Sequence, residues 1–340
     1  MSETTNATPS TAMKIFKLAG KVWLTITSAL GTLIIIGLIS IVSLASVLAG
    51  SVSNTTPIYP SQVKTSGGED EIAVLTLSGV IMENDLAGDP FSSGIISAER
   101  VTPMLEHFMT EDSIKAVVIR ISTPGGAVVA SDELGQKVRQ LATKKPVVVS
   151  FGDVSASGGY YFSAGATKII ANPSTITGSI GVIAQFPEYS GLFDKIGVSM
   201  RTFKSGEFKD IGSGDRPMTE AERNLIQGII DENYDQFVKA VVEGRKMDEL
   251  KVRQLADGRI YTGTQAKQLG LVDELGNLDT AIDQAKQLSK VEDPTIIEYT
   301  SKNFIEQILS STANRILPTT QIPSSVTSQL QPGVYYLLSW

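Results

Sequence analysis

At 340 residues, with 42% hydrophobic and 19% charged side chains, the chain has the composition of one or two globular units, not of a disordered or fibrous protein. The lack of cysteine excludes disulfides, thiolate metal sites, iron–sulfur clusters and thiol nucleophiles, and a single histidine, His107, excludes multi-histidine metal sites. A formal charge of −7 argues against a nucleic-acid partner, which would require a basic footprint.

Residues 1–21 read as a polar cytoplasmic leader ending in Lys14, Lys17 and Lys21. The uncharged run over 22–50 exceeds the ~20 residues that span a bilayer as a helix. Trp23 suits the interface, and lysines before the run with no charge after it until Lys64 predict an N-terminus inside and the bulk of the chain outside. Small residues at Val47 and Ala49 would suit cleavage, but the run is about twice the length of a signal-peptide core, so an uncleaved anchor is expected. Residues 51–70, rich in Ser, Thr, Pro and Gly, read as a linker to a domain over 71–300. The tail, 301–340, turns Ser/Thr/Gln/Pro-rich and ends in the apolar stretch 334–340 (VYYLLSW).

Within the domain, β-branched runs alternate with amphipathic stretches. Strands are predicted over 72–77 (IAVLTL), 116–121 (AVVIRI), 147–151 (VVVSF) and 168–171 (KIIA), and helices over 98–109 and 131–142, with a helix start in GGYYFSAGA. This βαβ alternation predicts an α/β fold with a largely parallel sheet. Thr219 with Glu222 forms a capping box opening a long helix to about Val242, with Leu225, Ile229, Ile230, Phe237 and Val241 on one side. Further helices are expected near 250–257 and 265–269.

Two glycine-rich turns follow strands, TPGGA at 123–127 and SASGGYY at 155–161. Each presents backbone N–H groups where an oxyanion could be held, and a serine ahead of two glycines can expose its hydroxyl beside a donor. Most such glycine pairs are plain turns. Neither a Walker pattern nor GxGxxG is present, which disfavours a nucleotide. His107 lies in LEHFMTED on an amphipathic helix and reads as a surface residue, leaving lysine as the base for a serine nucleophile. A lysine base must be neutral, so its pKa must fall by roughly 3 units, about 4 kcal/mol, through burial. Lys204 and Lys209 in FKSGEFKDIGSG are the candidates, and spacing alone does not choose between them.

The ordered strings ASGGYY, NPSTITGSIGVI, KSGEFKD and DGRIYTGTQAKQLGLVDELG are similar to the signal peptide peptidase A family of serine–lysine peptidases, over about 72–285 and in its short, single-unit form. The resemblance implies a ClpP/crotonase-like spiral core behind one N-terminal transmembrane helix, Ser157 as nucleophile, Lys209 as general base and Ser179 as the residue orienting that lysine. It implies Gly158 and, less directly, Gly126 as oxyanion donors, and no metal or organic cofactor. Thr123 stands where many relatives carry serine or asparagine. The implied activity is endopeptidase cleavage of signal-peptide remnants and other apolar peptides at the extracytoplasmic face of the cell membrane. The implied assembly is a homo-oligomer, an octameric ring, with serine and lysine from neighbouring chains. The DGRIYTG segment, with Arg259 and Tyr261, reads as structural, with Gly258 and Gly263 at turns. The apolar tail is expected to reach a substrate groove. The competing classes are a crotonase-like acyl-CoA enzyme and a catalytically silent membrane scaffold.

Overall fold

The computed structural model describes residues 61–84, 94–300 and 335–337, and the chain divides into units of residues 1–58 and 59–340. The expected leader and anchor lie outside the described residues; among those described, no helix is long and apolar enough to cross a membrane.

In chain order the strands are β1 (Ser61–Thr65), β2 (Glu71–Ser78), β3 (Val80–Met82), β4 (Ile95–Ser97), β5 (Ile114–Thr123), β6 (Gly125–Ala127) and β7 (Val147–Ala156). They continue with β8 (Lys168–Ala171), β9 (Ile176–Gly178), β10 (Ile260–Thr262), β11 (Glu274–Leu275), β12 (Thr295–Thr300) and β13 (Tyr335–Leu337). The helices are α1 (Ala98–Thr110), α2 (Val128–Ala142), α3 (Gly158–Ala164), α4 (Ser190–Ile196), α5 (Glu220–Arg245), α6 (Glu249–Leu255), α7 (Gly263–Leu269) and α8 (Leu278–Ser289).

The main sheet runs β1-β12-β2-β5-β7-β8-β11 and is parallel from β12 to β11. β7 is paired twice in succession, with β8 through Val148–Ser150 and then with β9 through Val154–Ala156. Period-two alternation divides its residues between two cores. Leu75, Ile119 and Val149 face the larger one, under α1, α2, α3 and α5; Val74, Val118 and Val148 face the smaller one, closed by Ala281, Ile282 and Ala285 of α8. Burial on both faces explains why these strands read as near-continuous apolar runs. A second, small sheet, β13-β6-β3-β4, lies at the turn after β5.

Several expectations are corrected here. Within the expected linker, Ser61–Thr65 form strand β1, paired antiparallel with β12. α2 begins at Val128, three residues before the expected start, and Gly263 opens α7 where a turn was expected. The Thr219–Glu222 capping box is present, but the stripe on α5 divides: Phe237 and Val241 are buried, whereas Leu225 and Ile229 are exposed. Helices α4 and α8 were not anticipated.

Candidate active site

Strand β7 ends at Ala156, and the chain then turns sharply through Ser157 into α3. Ser157 has φ 53° and ψ −117°, a region that costs a side-chain-bearing residue on the order of 1–3 kcal/mol and persists only where surrounding structure enforces it. The enforcement is visible on both sides. Its N–H donates to the Gly178 carbonyl (2.8 Å), and its carbonyl accepts from the Tyr161 N–H (2.9 Å). Below, Tyr160 is fully buried and its hydroxyl donates to the Leu271 carbonyl (2.8 Å). The Ser157 hydroxyl is itself buried and makes no hydrogen bond among the described residues. A strained serine at a strand–helix elbow with an uncommitted hydroxyl has the geometry of a nucleophile.

Ser179 belongs to the same corner. Ala156 pairs with Gly178, so the residues that follow, Ser157 and Ser179, leave neighbouring parallel strands at the same level. Ser179 also has positive φ, 49°, and its N–H donates to the Arg259 carbonyl (2.8 Å). The DGRIYTG segment is structural as expected: it supplies β10, which pairs with β9, and Tyr261 packs against Gly178 so closely that a Cβ there would lie 2.6 Å from its ring. Ser179 opens onto a cleft of about 390 Å³ lined also by Val182, Ile230, Tyr234 and Asp257.

The other glycine turn meets this corner from β5. Thr123 accepts a hydrogen bond from the Gly125 N–H at Oγ1 (3.0 Å), closing the turn through its side chain. That gives Thr123 the turn-closing role that a serine or asparagine could fill equally. A Cβ on Gly158 would lie 3.2 Å from the Gly126 nitrogen and 2.5 Å from the Ser131 hydroxyl oxygen. Gly126, in turn, packs against the backbone of Ile81, leaving no room for a side chain. The two glycines are therefore brought together, with Ser131 beside them. Along β6 lies β13 of the tail, antiparallel, with Tyr336 opposite Gly126 and Leu337 opposite Gly125. Residues 334 and 338–340 lie outside the described residues.

The lysines are arranged differently. Lys204 Nζ donates to Asp210 Oδ1 (2.7 Å) and to the Glu207 carbonyl (2.8 Å), so its ammonium is committed within its own loop. Lys209 is exposed and, among the described residues, in no ion pair; with the Ser157 hydroxyl buried and unpartnered, the two are not bonded within one chain. The backbone next to Lys209 is nevertheless held. Arg216 forks onto Asp210 (2.8 and 3.1 Å) and onto Glu222 (2.5 and 2.9 Å), tying the lysine loop to the first turn of α5. The Arg216 guanidinium, then the Lys204 ammonium, hold the Asp210 carboxyl well below the usual carboxylate range. Arg216, then the Thr219 N–H, lower Glu222 to about 2. Nothing in the sequence marks this chain of charges beyond residues of opposite sign at mixed spacings.

His107 is set apart from this corner. Its ring lies 6.3 Å from that of Tyr299, on β12. β12 is three strands from β7, a lateral offset of roughly 14 Å.

A family model, Peptidase family S49, matches residues 139–292. A putative protease from Methanocaldococcus jannaschii is 38% identical over 265 residues, which are 78% of this chain and 85% of that one. A putative signal peptide peptidase SppA from Enterococcus faecium is 37% identical over 243 residues, 71% of this chain and 70% of that one. A putative protease from Synechocystis sp. is 47% identical over 188 residues, 55% of this chain and 68% of that one. Among solved structures, a ClpP1 mutant from Listeria monocytogenes is similar at TM-score 0.39 and 17% identity, over 60% of this chain and 91% of that one, a likeness too loose to argue from. With the matched region running through the serine elbow and the lysine loop, and with relatives this similar over most of their own length, the chain belongs to peptidase family S49 and is a serine peptidase.

Proposed function

We propose that this serine peptidase is a Ser157/Lys209 dyad endopeptidase, anchored by residues 22–50 with its catalytic unit on the extracytoplasmic side of the cell membrane. Its substrates are apolar peptides, including signal-peptide remnants left in the bilayer; the name of the Enterococcus relative points to the same class. The observation that carries the reading is the strained, buried Ser157 with its uncommitted hydroxyl beside Gly158 and Gly126.

In the proposed cycle a neutral Lys209 amine takes the Ser157 proton as Oγ bonds to the substrate carbonyl carbon. The carbonyl π pair moves onto oxygen, where the N–H groups of Gly126 and Gly158 stabilise it. Lys209 then gives its proton to the leaving amine, and water activated by the same lysine hydrolyses the acyl-enzyme. Ser179, at the level of Ser157, orients the amine. Lys209 is preferred to Lys204 because the latter is tied to Asp210.

An exposed Lys209 is solvated, and a buried hydroxyl needs a base brought to it, so Lys209 acts on the serine of a neighbouring chain. The apolar residues around it support such a contact: Phe203 is 95% exposed, and Met200, Ile196, Leu192 and Phe208 are exposed as well. A closed homo-oligomer, an octameric ring in a ClpP/crotonase-like arrangement, would give every serine a lysine. The pairing of β13 with β6 supports the peptide class, since an extended backbone already lies as an added strand along the proposed oxyanion turn.

The test is labelling with a fluorophosphonate followed by mass mapping. The expected result is modification of Ser157, lost in Ser157→Ala and strongly slowed in Lys209→Ala. Modification of a different serine, or proteolysis that survives in Ser157→Ala, would overturn the assignment.

A further inference from the structure

Ser131 is the fourth residue of α2, one helical turn beyond the TPGGA turn. Its side chain is fully buried and its hydroxyl has no hydrogen-bond partner among the described residues. Buried hydroxyls without partners are rare because each forfeits its hydration, and a persistent one calls for an explanation. Its neighbour Asp132 is committed, accepting from the Tyr161 hydroxyl (2.6 Å) and the Gln136 side-chain amide (2.7 Å). The Ser131 oxygen lies 2.5 Å from the point where a Gly158 Cβ would stand, and the Gly126 nitrogen lies 3.2 Å from the same point. A side chain at Gly158 would therefore collide with this hydroxyl and crowd the turn.

We propose that Ser131 is a third oxyanion donor, acting with the N–H groups of Gly126 and Gly158; the proposal rests on the dyad reading above. As the Ser157 oxygen bonds to the carbonyl carbon, the π pair moves onto the carbonyl oxygen and the Ser131 O–H donates to it. No proton leaves Ser131; it hydrogen-bonds the charge that develops and is released when the carbonyl reforms. A hydroxyl without a ground-state partner suits this role, because it has no bond to break before it stabilises the transition state.

The experiment compares parent, Ser131→Ala and Ser131→Cys, the second preserving side-chain volume while replacing the hydroxyl with a weak donor. The readouts are kcat and KM on an apolar peptide, affinity for a peptide aldehyde that forms a tetrahedral adduct, affinity for the matching product peptide, and thermal melting. Both variants are expected to melt with the parent, to lose roughly 10²-fold in kcat with little change in KM, and to lose aldehyde affinity in step while product affinity holds. Unchanged kcat would overturn the proposal, as would equal losses of aldehyde and product affinity, or a failure of both variants to fold. Fluorophosphonate labelling of the parent separates the two levels. A parent unlabelled at Ser157 refutes the dyad reading, whereas a labelled parent with indifferent Ser131 variants refutes this donor alone.

Discussion

The serine corner and the lysine loop of this chain are built on opposite physical principles. Ser157, Ser179, Gly126 and Gly158 sit at the carboxyl ends of parallel strands, over a core in which Tyr160 and Phe162 are fully buried, and positive φ at both serines is enforced by backbone hydrogen bonds. Lys209 sits on a loop held by charges, among apolar side chains left in solvent. One half is complete within the protomer. The other has the character of a contact surface, and on the proposed reading it finishes its chemistry only against a second copy.

The largest effect that would sharpen this contrast is expected from Phe203→Asp. The substitution touches neither the serine corner nor the core, yet it should dissociate the assembly in sedimentation and lower peptidase activity on the order of 10³-fold, as loss of the base would. Full activity in a monomeric Phe203→Asp protein would break the contrast. Next comes the charge clamp: Arg216→Ala cuts the tie between Asp210 and the first turn of α5, leaving Asp210 paired with Lys204 inside a loop no longer anchored to the helix, and a misplaced base should cost roughly 10²-fold in kcat while Ser157 remains open to labelling. Arg216→Lys should recover only part of the loss, because an ammonium cannot fork onto two carboxylates.

The pH dependence follows from the same two halves. Glu222 is lowered from its ordinary value to about 2, so the stability it confers is present above about pH 4.5 and is lost as pH falls toward 2. The clamp is thus constant across the neutral and alkaline range. On the dyad reading, a rate that rises with pH there would follow the catalytic base and not the clamp. The smallest effect is expected from deleting residues 326–340. If the strand along β6 competes with substrate, removing it should lower KM several-fold, since a tethered peptide acts at an effective concentration in the mM range. An unchanged KM would assign the tail a purely structural role.

The serine corner was the more legible half in the sequence. Strands β2, β5 and β7 are announced by apolar runs buried on both faces, and the elbow by a serine before two glycines. Thr219 and Glu222 likewise announce the start of α5. The short strands β3, β6, β9, β10 and β11 were not legible, because two or three residues such as GGA carry no period; they form where neighbouring backbone requires a partner. Periodicity also placed Leu225 and Ile229 on one stripe with Phe237, yet it could not say that the stripe leaves the core halfway along α5. The resemblance singled out Lys209, whereas the commitment of Lys204 to Asp210 needed the fold of the loop, and the open hydroxyl of Ser131 needed the packing of α2 against Gly158.

The central claim is that the base comes from another copy, and subunit mixing tests it most directly. Ser157→Ala and Lys209→Ala proteins, each inactive alone, are co-folded in equal amounts. Shared sites should restore roughly a quarter of parental activity, because each serine then meets an intact lysine by chance from an independently drawn neighbour. A mixture that stays as inactive as its parts, despite demonstrated subunit exchange, would contradict the account.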